Sequence, residues 1–514
     1  MKNQNISTKP RRAFGPARAA LQSLAIAMAL AVGASAQTLN PPASGIGLRP
    51  AGIVYSVGPS LPNDDIIDQV LHAYSPADIC AAYGVDALHN EGWTGKGQTI
   101  VVVDSYGSPT ALQDLQTFSA TFGLSAPDLT IIYPDGQPTL NSTKKLGWAD
   151  ETSLDLQWAH VIAPDAKLVL IAANPAETEG IQGFPSMFNG IQYAISNYPG
   201  SPISQSFLAA EQTFSGADAV QLAKYEAMYQ QALAAGCTPL AAAGDKGTAN
   251  FIKQDKSPSL SGATAAPVYP YPTVCWPASS PSVTAVGGTW LQYHWRWNPQ
   301  TNFAAFLAIG SVDPHPVRDQ NPVALAFLNW DASVDRVEAP WREDWTFFLN
   351  GGGGAAGGGG LSTVFVTPTW QAGLPASLTQ GARALPDVSW NAAINGGVWV
   401  YDSQTGGWNF IGGTSAATPQ IAGLVALVNQ MRASLGKGPI GHLAPKLYQL
   451  PASDFNDIVP QTFGSGANAV TVGDNTCYGT GVAGLPCTVG YDLTTGLGSP
   501  RAYNFAHDLA TMFP

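Results

Sequence analysis

The sequence predicts an α/β fold, a doubly wound parallel sheet with helices on both faces, and three observations predict it. Short apolar runs recur after residue 97 and read as strands buried on both faces. Helical stretches alternate with those runs, the order that builds a parallel sheet. The chain has 514 residues, 45% of them hydrophobic and 11% charged, which supplies a large core and excludes a coiled coil or a charge-rich disordered chain.

The first 36 residues stand apart from the fold. Lys2, Lys9, Arg11, Arg12 and Arg18 form a basic start without an acidic residue, the apolar run Ala19 to Val32 follows, and Ala34-Ser35-Ala36 precedes Gln37. This is the pattern of a secretory signal peptide, so the mature protein is expected to be secreted, or held in the periplasm. The run is short and Ala-rich for a membrane span, and no membrane attachment is expected once the leader is removed. Residues 37–73 are rich in Pro and Gly and read as an irregular N-terminal extension.

The domain is expected over 74–514. Ser75-Pro76-Ala77-Asp78 starts a short helix toward Tyr83. Strands are expected at Thr99 to Val103, Lys167 to Ala172, Pro202 to Ser206, Cys237 to Ala243 and Val283 to Val286, with a helix over 217–235. Residues 290–350, rich in Trp, Asn and Pro, break the pattern and read as an insertion whose Trp residues border the substrate cleft. Residues 351–360, GGGGAAGGGG, read as a flexible loop. No Gly-Lys-Ser/Thr follows, so a phosphate cradle is excluded.

A net charge of −12 argues against a nucleic-acid partner. A surface poor in Lys and Arg suits acidic surroundings, where carboxylate repulsion fades on protonation. Of the five cysteines, Cys477 and Cys487 bracket a Gly-rich loop and are expected to pair. Cys237 with Cys275 is a second expected pair, leaving Cys80 unpaired and buried.

Chemistry concentrates in three segments. Gly412-Gly413-Thr414-Ser415-Ala416-Ala417-Thr418-Pro419 sets one Ser among small residues at the start of an apolar helix running to about Met431. A helix N-terminus there favours both a nucleophilic hydroxyl and the oxyanion it creates. The segment fits an N-capping hydroxyl equally well. Trp148 to Asp155 opens a second helix, with Glu151 and Asp155 one turn apart on one face. Two acids so placed can share a proton, although a pair of this kind is more often a solvated acidic face. Ala243-Gly244-Asp245-Lys246-Gly247 ends a strand, where Asp245 makes either an Asx-turn or, if protonated, a hydrogen-bond donor to an oxyanion. None of the seven histidines (His72, His89, His160, His294, His315, His442, His507) lies in a Gly-rich helix start where a base would be expected.

Taken together these segments resemble the sedolisin family, the serine-carboxyl peptidases with a subtilisin-like fold. The resemblance runs from about Tyr74 to Pro500. It also includes TIVVVD (99–104), Ser279 to Thr289 and Leu385-Pro386-Asp387-Val388-Ser389. It implies Ser415 as nucleophile, Glu151 as general base and acid, and Asp155 as the carboxylate that orients it. Asp245, where subtilisins carry Asn, becomes the protonated acid of the oxyanion hole. The resemblance also implies one structural Ca²⁺, held by the carboxylates of Asp457 and Asp492 and the carbonyls of Ile458, Thr488 and Gly490. The expected activity is acid-acting endopeptidase cleavage of polypeptides by a monomer. Tripeptidyl-peptidase action and a catalytically silent, calcium-stabilised binding protein are the alternatives. A glycosidase would need its carboxyl pair further apart, across a sugar.

Overall fold

The computed structural model describes residues 53–58, 73–139, 143–174, 183–214, 219–251, 268–293, 336–343, 354–394, 396–463, 470–477 and 479–514. The leader, most of the extension, and residues 294–335 and 344–350 of the expected insertion lie outside them. In chain order the strands used below are β1 (Ile53–Gly58), β2 (Ala73–Tyr74), β3 (Thr99–Ser105), β4 (Asp128–Ile132), β5 (Lys167–Ala173) and β6 (Pro202–Gln205). They continue with β7 (Thr238–Ala242), β8 (Thr284–Tyr293), β9 (Arg336–Pro340), β10 (Val388–Asn391), β11 (Gly397–Asp402) and β12 (Gly407–Gly412). The helices are α1 (Pro76–Tyr83), α2 (Ala111–Phe122), α3 (Thr143–Ile162), α4 (Phe184–Asn197), α5 (Ala219–Ala234), α6 (Thr414–Ser434) and α7 (Ala502–Thr511).

An eight-stranded sheet in the order β9-β8-β7-β6-β3-β5-β4, with β10 also paired to β8, forms the centre. The central pairs are parallel, and only the β8–β9 pair is antiparallel. The run Ile100-Val101-Val102-Val103 shows why an unbroken apolar stretch becomes a central strand. Ile100 and Val102 face one core cluster, and Val101 and Val103 the other. In β5, Leu168 and Leu170 face the first cluster, and Val169 and Ile171 the second. The α3 and α6 side fills one cluster, and α4 and α5 the other, giving the expected doubly wound architecture.

α1 starts as its sequence predicts, with Ser75 and Asp78 capping each other's backbone. α3 and α6 approach closely where α6 carries Gly423. A Cβ there would stand 2.7 Å from Cβ of Ile162 and 3.1 Å from the carbonyl oxygen of Ala159. The glycine therefore fixes the distance between the two helices that carry Glu151 and Ser415.

Five expectations need correction. The extension is not irregular throughout, because β1 pairs antiparallel with β12 from Ile53↔Gly412 to Gly58↔Trp408. The strand at Val283 to Val286 is part of a longer one, β8, which runs on to Tyr293 and takes β9 as an antiparallel neighbour. The edges of the expected insertion thus belong to the sheet, and Trp290 and Trp341 are core residues rather than cleft residues. α3 begins at Thr143, so Glu151 and Asp155 sit within the helix and not at its opening. No disulfide joins the five cysteines. Cys477 Sγ faces the Gly354 carbonyl and Cys487 Sγ the Ile458 carbonyl, each at 2.9 Å, while Cys275 Sγ meets Asn250 Oδ1 at 3.0 Å.

The fifth correction concerns the glycine run. Residues 354–360 are buried and packed against backbone, not a flexible loop. Gly358 N donates to Gly244 O at 2.7 Å, Ala356 N to Asp245 O at 3.1 Å, and Gly247 N to Ala356 O at 2.9 Å. A Cβ on Gly357 would come within 2.9 Å of Gly288 O, and one on Gly358 would overlap the Ala243 carbonyl. Only glycine lets two backbones lie this close.

Candidate active site

The candidate residues gather at the carboxyl ends of the central strands, where ligands of open α/β sheets bind. Asp104 is the penultimate residue of β3, Ser206 directly follows β6, and Asp245 lies three residues beyond β7. α3 and α6 bring Glu151, Asp155 and Ser415 from the face that they share.

Asp245 and Ser415 are joined through Thr414. Asp245 Oδ1 accepts from Thr414 N at 2.8 Å and from Thr414 Oγ1 at 2.9 Å. Thr414 Oγ1 also accepts from Gly244 N at 3.0 Å, so the turn after β7 and the start of α6 lock together. Asp245 Oδ2 has no partner. Burial pushes the Asp245 carboxyl up to about 7, against the opposing pull of the Thr414 donors and the Lys246 charge. Ser415 is fully buried at the second position of α6, and its hydroxyl makes no hydrogen bond, so it is not an N-cap.

The carboxylate pair on α3 is buried rather than solvated, with Glu151 at 2% and Asp155 at 0% exposure. Ser206 Oγ donates to Asp155 Oδ1 at 3.0 Å, and Asp155 Oδ2 has no partner. Asp155 is held well above the usual carboxylate range by burial, then by the charges of Asp104 and Glu151, with the Ser206 bond opposing. Asp104 is itself fully buried, and burial pushes it up to about 7 against the opposing pull of the Thr152 hydroxyl. The acids on β3 and α3 are thus buried together, and burial favours their protonated forms at a pH where exposed carboxyls have lost their protons.

Sequence reasoning missed Asp104 and Ser206. The signal for Asp104 was present in TIVVVD, an acid ending a run of four apolar residues, which places it at a strand's carboxyl end. Ser206 carried no comparable signal. The described histidines take no part: His160 bonds the Ser125 carbonyl, His442 that of Pro281, His89 that of Ile162, and His507 pairs with Glu91. His72, His294 and His315 lie outside the described residues.

The five expected calcium ligands fall in one place. Asp457 accepts from Gly490 N at 3.0 and 3.1 Å, Asp492 Oδ2 accepts from Thr488 N at 2.9 Å, and the Ile458 carbonyl faces Cys487. Two carboxylates and three carbonyls would make an all-oxygen donor set, the chemistry that suits Ca²⁺. Burial raises the Asp492 carboxyl, and three backbone N–H groups oppose the shift. Among the described residues, no group of three His, Cys, Asp or Glu side chains has metal-binding spacing.

A doubly wound sheet with a buried serine at a helix start and acids at the strand ends defines a subtilisin-like hydrolase fold. The profile described as "Subtilase family" matches residues 149–443. The chain belongs to the subtilase family, and its relatives and structural neighbour support the sedolisin family. Kumamolisin of Bacillus sp. (strain MN-32) is 32% identical over 438 residues, which are 83% of this chain and 62% of that protein. Tripeptidyl-peptidase 1 of Macaca fascicularis is 28% identical over 227 residues, 44% of this chain and 31% of that protein. The chain therefore spans less than two thirds of either relative. The solved Pseudomonas sedolisin (serine-carboxyl proteinase), in complex with two molecules of pseudo-iodotyrostatin, superposes with a TM-score of 0.60 at 23% identity. That match covers 86% of this chain and 100% of the other and shows the shared fold.

Proposed function

We propose that this protein is an exported, acid-acting serine-type endopeptidase. Ser415 Oγ attacks the carbonyl carbon of a peptide bond while Glu151 takes the hydroxyl proton. Asp155, fixed by Ser206, orients Glu151 and keeps a proton within the pair. The protonated Oδ2 of Asp245 donates to the oxyanion of the tetrahedral intermediate. Glu151 returns its proton to the leaving amine, and the C–N bond breaks to leave an acyl-serine. Water, deprotonated by Glu151, then attacks the ester carbon, and Glu151 returns that proton to Ser415 Oγ as the acyl–oxygen bond breaks.

The observation that carries this reading is the buried, partnerless Oδ2 of Asp245, on a carboxyl that burial raises to about 7 and whose other oxygen is bonded to Thr414, the residue before Ser415. Polypeptides are the substrate class, and the kumamolisin and tripeptidyl-peptidase 1 relatives support that choice. A structural Ca²⁺ would sit on Asp457, Ile458, Thr488, Gly490 and Asp492, tying the loop around Thr488 to the segment after Phe455. Among the described residues, no helix is long and apolar enough to cross a membrane.

The test is digestion of a denatured protein from pH 2 to pH 8 by the purified chain and by Ser415→Ala. Cleavage confined to acid and absent from the variant is the expected result. Cleavage that survives Ser415→Ala overturns the mechanism. Mapping the product ends separates internal cleavage from removal of N-terminal tripeptides.

A further inference from the structure

Beside the site lies a second group of buried acids that the peptidase mechanism does not use. Asp114 on α2, Asp150 on α3 and Asp402 at the end of β11 are all at most 3% exposed. Asp150 precedes Glu151. Asp402 lies on the β11–β12 hairpin, and β12 runs through Gly413 into Thr414 and Ser415.

Thr405 Oγ1 donates to Asp150 Oδ1 at 2.6 Å, and Asn409 Nδ2 reaches the same oxygen at 3.4 Å. Gln404 N donates to Asp402 Oδ1 at 2.9 Å. Asp402 Oδ2 and Asp114 Oδ1 have no donor. The Asp150 and Asp402 carboxyls lie within hydrogen-bonding reach of each other, so a proton on either supplies the missing donor.

The groups facing the pair come from every neighbouring element. α3 adds Glu151. α2 adds Asp114, its only acidic residue, which accepts from Thr110 Oγ1 at 2.6 Å and is linked by that hydroxyl to Gln404 at 3.3 Å. β12 adds Asn409 and no titratable side chain, and β1 carries no charged residue. The described groups acting on Asp150 and Asp402 include no cation. The three acids do not converge at metal-ligand spacing.

We propose that Asp150 and Asp402 are positioning residues, which share one proton across the junction of α3 with the β11–β12 hairpin and so hold the strand that delivers Ser415. Losing that proton sets two buried like charges side by side and pushes the end of the hairpin away from α3. Burial raises both carboxyls, Asp150 to about 7, so the pair keeps its proton in acid and the tie weakens as the pH rises. The consequence for catalysis rests on the peptidase reading, but the test does not.

Amide hydrogen exchange on the full chain carrying Ser415→Ala, at pH 5 and pH 8, reads the tie directly. After correction for the intrinsic pH dependence of exchange, protection across residues 397–412 falls at least ~tenfold, the change that one pH unit beyond the transition produces. Protection of α5, on the opposite face, stays constant. Asp402→Asn keeps the Gln404 bond and offers Asp150 a permanent donor, so it retains hairpin protection at pH 8. If Asp402→Asn does not fold, Asp150→Asn serves the same purpose. Unchanged protection in the parent, an equal fall throughout the molecule, or a fall that persists in the folded Asn variant each overturns the proposal. Flat exchange alongside normal acid peptidase activity removes the latch alone, and hairpin opening without peptidase activity removes the enzyme reading alone.

Discussion

Replacing Asp245 separates two contributions of one side chain. Its Oδ1 is occupied by two bonds from Thr414, and its Oδ2 is free, so one donor per active site is at stake. Removing one oxyanion-hole donor costs about 10²–10³ in kcat. Asp245→Ala should lose activity by that factor at pH 4 while binding substrate with little change in KM. The pH dependence follows from the sign of the shift. Burial raises the folded-state value from 3.8 to about 7, so the folded chain holds a proton there that the unfolded chain releases. The associated stability is complete below about pH 4 and is lost as the pH climbs toward 7, by roughly 4 kcal/mol for this group. Asp245→Asn carries no charge at any pH. Its stability should fall less steeply between pH 4 and pH 8 than the parent's, the other buried acids still contributing their share, once both proteins carry Ser415→Ala to prevent self-digestion. Stopped assays on a quenched peptide give the rates, and urea titrations the stabilities. Asp245→Ala within a factor of ten of the parent, or an Asp245→Asn protein whose stability falls with pH as steeply as the parent's, refutes the role.

Two further outcomes follow from geometry. Gly358→Ala drives a methyl group into the Ala243 carbonyl and should cost more than ~3 kcal/mol, seen as loss of soluble folded protein or a steep drop in Tm. Chelation with EGTA should lower Tm, and calcium in excess should restore it by mass action. Asp492→Ala should abolish that response, and a Tm that ignores both chelator and calcium removes the metal from the structure.

The sheet was legible because its strands are buried on both faces, and an unbroken apolar run such as TIVVVD or KLVLIA has few other uses. Ser415 and Asp245 were legible because each sits in a short segment whose small neighbours are themselves informative. Glu151 and Asp155 gave only a spacing, and their burial decides between an acidic surface and a proton-sharing pair. The glycine run misled because backbone pressed against backbone and a solvated linker have the same composition. Only the partners, Gly244 and Gly288, distinguish them. The cysteine expectation failed for a related reason: proximity in sequence says nothing of where each sulfur points. β1 was hidden by its Pro- and Gly-rich surroundings, although IVYSVG has the residue types of a strand.

The helix that presents Ser415 is fastened at its far end. Arg432 of α6 donates to the carbonyls of Leu509 and Phe513, and α7 contributes Phe505 and Leu509 to the same core. Asp245 and Thr414 meet only after 169 further residues have been added. During synthesis, then, the turn after β7 waits for the start of α6, and the contact between Asp245 and Thr414 cannot close until the chain has grown past residue 414. A prematurely terminated product lacking α7 would leave Arg432 without the carbonyls that hold the far end of α6.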